Sequence, residues 1–332
     1  MPRFVLLSML GLACATVGAQ DAVSGLPLWA YGYLVPQPPA SAPALPIKPR
    51  PPLPSDRPVT MPGGSGTYTR ATMMNPYGPV VWFPNEYPPM PDIVAKGRRD
   101  ASITACALCH RENGKGQPEN APVAGLPESY FIQTMKDFRS GARKSSDPRK
   151  PNAISMTRFA EAMTDQEIVA AAKYFGGIKW TPWTKAVEAD TIPKVYPYGN
   201  LFEIEQGEGN EPLGNRIIEI PENAERKDMF RDPKSGFLAY VPKGSIKRGE
   251  ALVVEGGSGK TQPCANCHGA DLHGVGPVPG IAGRHASYLA RQMYDMKTGA
   301  RSTEWSQLMK PVVANLSDDD ILNIAAYVVS RP

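Results

Sequence analysis

Two hexapeptides constrain this chain more than anything else in it: A-C-A-L-C-H at 105–110 and P-C-A-N-C-H at 263–268. The chain has five cysteines and four histidines. The two hexapeptides take Cys106, Cys109, Cys264 and Cys267, together with His110 and His268. Only Cys14 is left over, and it sits in an apolar leader. Nearly all the thiol and imidazole chemistry is therefore in two copies of C-x-x-C-H, set 158 residues apart.

The leader decides how those thiols are read. Arg3 is a short basic start, Phe4 to Val17 is apolar, and small residues follow up to Ala19. That is the pattern of a secretory leader cleaved after Ala19, with an apolar run too short to span a membrane. Cys14 offers a second reading. The G-L-A-C stretch is a degenerate lipoprotein box with Gly11 where leucine is expected, which would make Cys14 a membrane tether. In an oxidising compartment, C-x-x-C pairs can be disulfides, redox dithiols or zinc ligands. A zinc ribbon needs its four cysteines close in sequence, and a dithiol site needs neither a second copy nor a following histidine. The adjacent histidine points instead to covalent haem. Two thiols spaced to match the two vinyl groups fasten the ring, and the next residue brings an imidazole to the iron.

The repeat extends beyond the motif. V-A-G-L-P-E-S-Y-F-I-Q-T-M-K-D-F-R-S-G-A-R at 123–143 matches I-A-G-R-H-A-S-Y-L-A-R-Q-M-Y-D-M-K-T-G-A-R at 281–301. The offset is the same 158, with Tyr130 over Tyr288 and Arg143 over Arg301. Phe131, Ile132, Met135 and Phe138 recur at helical spacing, as do Leu289, Met293 and Met296, which predicts one amphipathic helix per copy. A third matched block starts at Met156 and at Met309 and runs into a final helix. Thr164 with Glu167, and Ser317 with Asp320, read as capping boxes for those helices. Met156 and Met309 are the methionines that the alignment pairs in this block, each expected in a loop before the final helix. A thioether there is a soft axial ligand that favours ferrous iron. Met135, Met293 and Met296 read as core, and Met163 as packing, because its partner is Leu316. His273 and His285 are expected to face solvent, with His285 the one candidate for a second histidine on the second iron.

Each half resembles a class I cytochrome c, and the pair resembles tandem dihaem cytochromes of the cytochrome c4 kind. The resemblance covers about residues 91–180 and 244–332. It implies an all-α fold of two class I cytochrome c domains and two covalently bound haem c groups. It also implies His/Met iron ligation by His110 with Met156 and by His268 with Met309. Tyr174 and Tyr327 take the place of the aromatic that packs on the N-terminal helix, and P-V-A-G and V-P-G-I-A-G take the ligand-side loop. The organisation expected is a signal peptide at 1–19, a Pro-rich extension at 20–90, domain one at 91–180, an inter-domain segment at 181–243 and domain two at 244–332.

The extension and the joint depart from that family. Proline numbers 36, with about half before residue 92, so the run at 35–54 should be extended and without a core. Trp82, Phe83 and Tyr87 then offer something to pack on a haem domain. In the joint, N-R-I-I-E-I and G-F-L-A-Y-V read as short strands. The formal charge is +4 overall, with no basic run, which argues against nucleic acid. Domain one carries 14 basic against 10 acidic residues and the joint 8 against 11, so domain one is the face expected to meet an acidic redox partner. The function implied is periplasmic electron transfer between redox proteins, with no catalysis of its own. The alternatives are a cytochrome subunit of a periplasmic dehydrogenase, or a dihaem peroxidase or thiosulfate-oxidising enzyme. The last would need an open iron or an unusual ligand such as cysteine.

Overall fold

The computed structural model describes residues 25–32, 57–198, 201–205 and 207–332. The leader with Cys14 and the proline run at 35–54 lie outside the described residues. The extension contributes α1 (Leu28–Tyr31) and α2 (Arg70–Met73). Domain one holds α3 (Asp92–Ala95), α4 (Cys106–His110), α5 (Glu128–Arg139), α6 (Pro151–Ala162) and α7 (Asp165–Gly176). The joint holds β1 (Thr184–Ala189), β2 (Thr191–Pro193), β3 (Val195–Tyr198), β4 (Leu201–Ile204), β5 (Asn210–Pro212), β6 (Ile218–Pro221), α8 (Ala224–Phe230) and β7 (Phe237–Pro242). Domain two holds α9 (Ser245–Glu255), α10 (Ala265–His268), α11 (Ala286–Thr298), α12 (Ser306–Ala314) and α13 (Asp318–Val329), with a two-residue ribbon of β8 (Gly274–Val275) and β9 (Val278–Pro279).

The architecture is two helical haem-type domains in tandem with a short-strand segment between them. Both final helices start on the expected capping boxes: the Thr164 side chain accepts from Glu167 N–H, and the Ser317 side chain from Asp320 N–H. The matched helices α5 and α11 bury Met135 and Phe138, and Leu289, Met293 and Met296. Met156 and Met309 lie inside helices, α6 and α12, and not in loops. The Pro- and Ser-rich approach to Met156 suggests a loop. Pro151, however, falls in the first helical turn, where its fixed φ suits a helix and its missing N–H costs nothing.

Domain two is closed by a tight crossing of α9 on α13. A Cβ on Gly249 would lie 2.0 Å from the Asn323 carbonyl oxygen and 2.7 Å from Tyr327 Cβ, so only glycine lets the helices come this close. Tyr327 is thus against the N-terminal helix, as expected.

The joint shares domain two's core. Ile192, Leu213, Ile218 and Val241 are buried in one cluster with Leu289, Ile321 and Val328. The two expected strands pair antiparallel, with Ile218 opposite Tyr240, but α8 separates them in sequence. The third strand, β1, was not foreseen and pairs parallel to β7, with Thr184 opposite Phe237. T-K-A-V-E-A carries little strand signal of its own, so pairing to β7 decides its conformation. In the extension, Trp82 and Phe83 are buried with Met61 and Met73 against Phe230 of α8. That small core sits on the joint, and Ala105 N–H, at the edge of the first C-x-x-C-H, donates to Pro76 O at 2.8 Å.

Candidate functional site

In domain one, α4 starts at Cys106 and ends on His110, with Arg111 following at φ 66°. One turn of helix therefore puts both thiols and the imidazole at one wall of a cavity of about 330 Å³. Met156 lines the same cavity, as do Met135, Met163, Phe131 and Phe175. Met135 and Met163 are buried in the core, as expected, yet both also face this space. His110 Nδ1 is 2.8 Å from Ala121 O. A carbonyl can only accept, so Nδ1 carries the proton and Nε2 keeps its lone pair.

Domain two repeats this arrangement. His268 Nδ1 is 2.8 Å from Pro279 O, and Pro279 aligns with Ala121 at the repeat offset. Both imidazoles are therefore held in one tautomer by the same backbone bond, in the loops where the sequence places P-V-A-G and V-P-G-I-A-G. Cys264 and Met309 are partly buried and pack on the second core. Burial pulls both imidazoles below their ordinary value, which favours the neutral ligand form.

The spare histidines divide. His273 is exposed beside Asp271, as expected. His285 is 1% exposed, contrary to the expectation. Its Nδ1 lies 2.8 Å from Thr184 Oγ1 and 3.5 Å from Glu219 Oε1, so the joint covers it. Nothing in the sequence near His285 reveals that cover, because it comes from residues 66 and 101 positions away.

A model of the family described as cytochrome c matches residues 94–179 and again 246–332. The chain belongs to the cytochrome c family. Among curated relatives, it is 24% identical to a cytochrome c4 of Azotobacter vinelandii over 239 residues, 70% of this chain and 87% of that one. It is 36% identical over 238 residues to a protein of Stutzerimonas stutzeri (strain A1501) named thiosulfate dehydrogenase electron acceptor, covering 71% of this chain and 82% of that one. Among solved structures it is similar to a reduced recombinant cytochrome c4 from Pseudomonas stutzeri at 20% identity, with a TM-score of 0.46, over 70% of this chain and 96% of that one. The cytochrome is a tandem, cytochrome c4-like dihaem electron carrier, and its two domains imply two haem c groups.

The residues fit that group. Burial, with Cys109 adding to it, pushes the Cys106 thiol up to about 12, and burial with Cys267 pushes Cys264 up to about 11. A redox-active dithiol needs the opposite, a thiolate stabilised by its surroundings. The first cysteine of each pair packs on a different core, Cys106 with Ile93 and Phe175, Cys264 with Leu252 and Leu272, so the four cysteines do not converge on one site.

Sequence reasoning missed two buried features. Arg231, after α8, donates to Leu108 O at 2.7 Å, Ala107 O at 3.2 Å and Met73 O at 2.8 Å. Arg111 donates back to Arg231 O at 2.7 Å. The joint thereby caps the first C-x-x-C-H helix, while the second copy has Gly269 where the first has Arg111. The other feature is the domain interface. The matched S-G-A-R and T-G-A-R ends pair antiparallel, with Lys144 N–H to Ala300 O at 2.9 Å and Ser302 N–H to Ala142 O at 2.8 Å. Arg143 reaches Tyr288 and Gln292, and Arg301 reaches Tyr130 and Gln292. Burial would raise the Tyr130 phenol, but Arg301 and Arg143 outweigh it and bring it down to about 8. The matched Tyr and Arg positions were visible in the alignment; their reciprocal exchange across domains was not. Tyr288 and Gln292 also line the first cavity, so domain two helps to wall site one.

Proposed function

We propose that the chain is a periplasmic electron carrier with domains at 91–180 and 244–332. In this reading Cys106 and Cys109, and Cys264 and Cys267, hold the haems. His110 with Met156 and His268 with Met309 are the axial pairs. The single observation that carries it is the repeated backbone bond from Nδ1 to a carbonyl, which leaves the lone pair of both histidines on Nε2. Haem, when bound, supplies a one-electron ferric/ferrous couple. The chain's own work is to orient the imidazoles, offer thioethers and keep the pocket apolar. The leader supports export, and among the described residues no helix is long and apolar enough to cross a membrane.

A spectrum of the holoprotein tests the ligation. Two c-type haems per chain are expected, with the weak methionine–iron charge-transfer band at full strength for both. Met156→Ala and Met309→Ala should each remove half of that band and lower the potential of one haem only. A full-strength band in either variant would reassign that ligand.

A more specific partner has support from the 36% identical relative, which is named as an electron acceptor of thiosulfate dehydrogenase. In this reading the cytochrome accepts electrons from a periplasmic dehydrogenase and passes them on. Stopped-flow reduction by such an enzyme should be fast and should slow as salt rises, because domain one is basic. A salt-independent rate would remove the electrostatic part of the reading.

A further inference from the structure

The eight described residues 25–32 stand between two stretches outside the described structure, yet they are tied to both domains. Trp29, Ala30 and Tyr31 are buried. Arg291 of α11 donates to Ala30 O at 2.6 Å and, with its other nitrogen, to Pro118 O of domain one at 2.6 Å. Tyr31 Oη donates to Asp295 Oδ1 at 2.9 Å. Asp295 also accepts from Ser146 N–H at 2.7 Å and from Ser146 Oγ at 2.8 Å. Lys150 Nζ donates to Tyr31 O at 2.8 Å in a buried contact.

Lys150 matters because of where it stands. It is the residue on which α6 begins, and its carbonyl accepts from Ala153 and Ile154 N–H. It has no side-chain capping bond within the helix. Its ammonium is turned instead to a carbonyl 119 positions away in sequence. Lys150, Arg291 and Asp295 all line the cavity that holds His110 and Met156. Domain two solves the same problem locally: the start of α12 is held by Ser306 Oγ, which donates to Thr303 O at 2.8 Å and Arg301 O at 3.0 Å.

We propose that residues 27–31 are a strap for the first haem site, with Tyr31 and Lys150 acting as positioning residues for the helix that carries Met156. This rests on the reading of Met156 as a ligand. The strap fixes the N-terminal end of α6 against α11, and so fixes how far the thioether extends into the cavity. Without it, Lys150 loses a buried acceptor, the start of α6 frays, and methionine ligation at the first iron weakens. Trp29, Ala30 and Tyr31 lie in domain two's core, but the start of α12 is held by its own neighbours, so the second iron is disturbed less than the first.

The test is made on full-length holoprotein with four samples: wild type, Met156→Ala, Tyr31→Ala and Tyr31→Phe. Tyr31→Ala should bring the methionine–iron band toward half strength and lower the potential of haem one, with a smaller shift at haem two and the far-ultraviolet helix signal unchanged. Tyr31→Phe keeps the buried ring that anchors residue 31, and with it the placement of the backbone carbonyl that Lys150 needs, so it should retain most of the band. If Met156→Ala halves the band while Tyr31→Ala leaves it intact, the strap is overturned and the ligand assignment stands. Equal changes at both haems in Tyr31→Ala would also overturn it, since that is the mark of general destabilisation. A full-strength band in Met156→Ala overturns the ligand assignment, and the strap's role with it.

Discussion

At the scale of single residues, Glu219 shows how the joint is fastened to domain two. Its carboxylate accepts from Ala286 N–H at 3.0 Å and Ser287 N–H at 2.9 Å, at the start of α11, and from Ser287 Oγ. A negative charge there meets unpaired N–H groups and the positive end of the helix. Burial would raise its pKa, but His285 and these donors outweigh burial and hold it below the ordinary carboxylate range. The sign follows. A depressed folded-state value stabilises the protein above the unfolded carboxyl value, and that stabilisation is lost as pH falls through the folded value. Glu219→Gln should cost about 2–3 kcal/mol at neutral pH and flatten the acid limb of stability, as read by denaturant unfolding across pH. An acid limb as steep as that of wild type would assign the acid sensitivity elsewhere.

At the scale of elements, the helix crossings set how firmly each site is held. Gly249 is the contact point of α9 on α13. Gly249→Ala has no soft neighbour to move, because the nearest atoms are backbone and a Cβ, so the helices must separate. About 2–3 kcal/mol of stability should be lost, and the thermal unfolding transition should move down while the haem-one spectrum of the folded protein stays as it was. Domain one has only the single turn α3 in that place. It gains support from outside instead, through Arg231 on the α4 carbonyls and Pro76 O on Ala105 N–H. The two domains are repeats in sequence but are braced differently: domain two has its own crossing of α9 on α13, and domain one takes support for α4 from the extension and the joint.

At the scale of the whole molecule, the interface is a local two-fold exchange built from repeated residues. Each Arg crosses to the other domain's Tyr, and both meet on Gln292. Arg284 adds a second tie, donating to Pro122 O at 2.8 Å and Ala124 O at 3.1 Å, with Trp180 Nε1 donating back to Ala282 O at 2.9 Å. Buried polar contacts of this kind leave unpaired groups when one partner is removed. The holoprotein should therefore unfold in one calorimetric transition, and Arg143→Ala with Arg301→Ala should split it into two and slow transfer between the haems. A single transition in the double variant would show that the remaining ties, through Arg284, Trp180, the joint and the strap, are enough to hold the domains together.

The sequence by itself determined the repeated units: two C-x-x-C-H motifs, the helices at matched offsets, the two capping boxes, the core methionines and the tandem fold. All of these are local, written in spacings of three or four residues or in one short motif, so no distant partner is needed to read them. The cover over His285, the parallel placement of β1, the capping of α4 by Arg231 and the burial of Trp29 to Tyr31 were decided by the tertiary structure alone. Each depends on a pairing between segments tens to hundreds of residues apart, where chain closure and shared burial outweigh what the local residues prefer. Tyr31 and Asp295 are 264 positions apart, and nothing in the composition around either foretells that they meet.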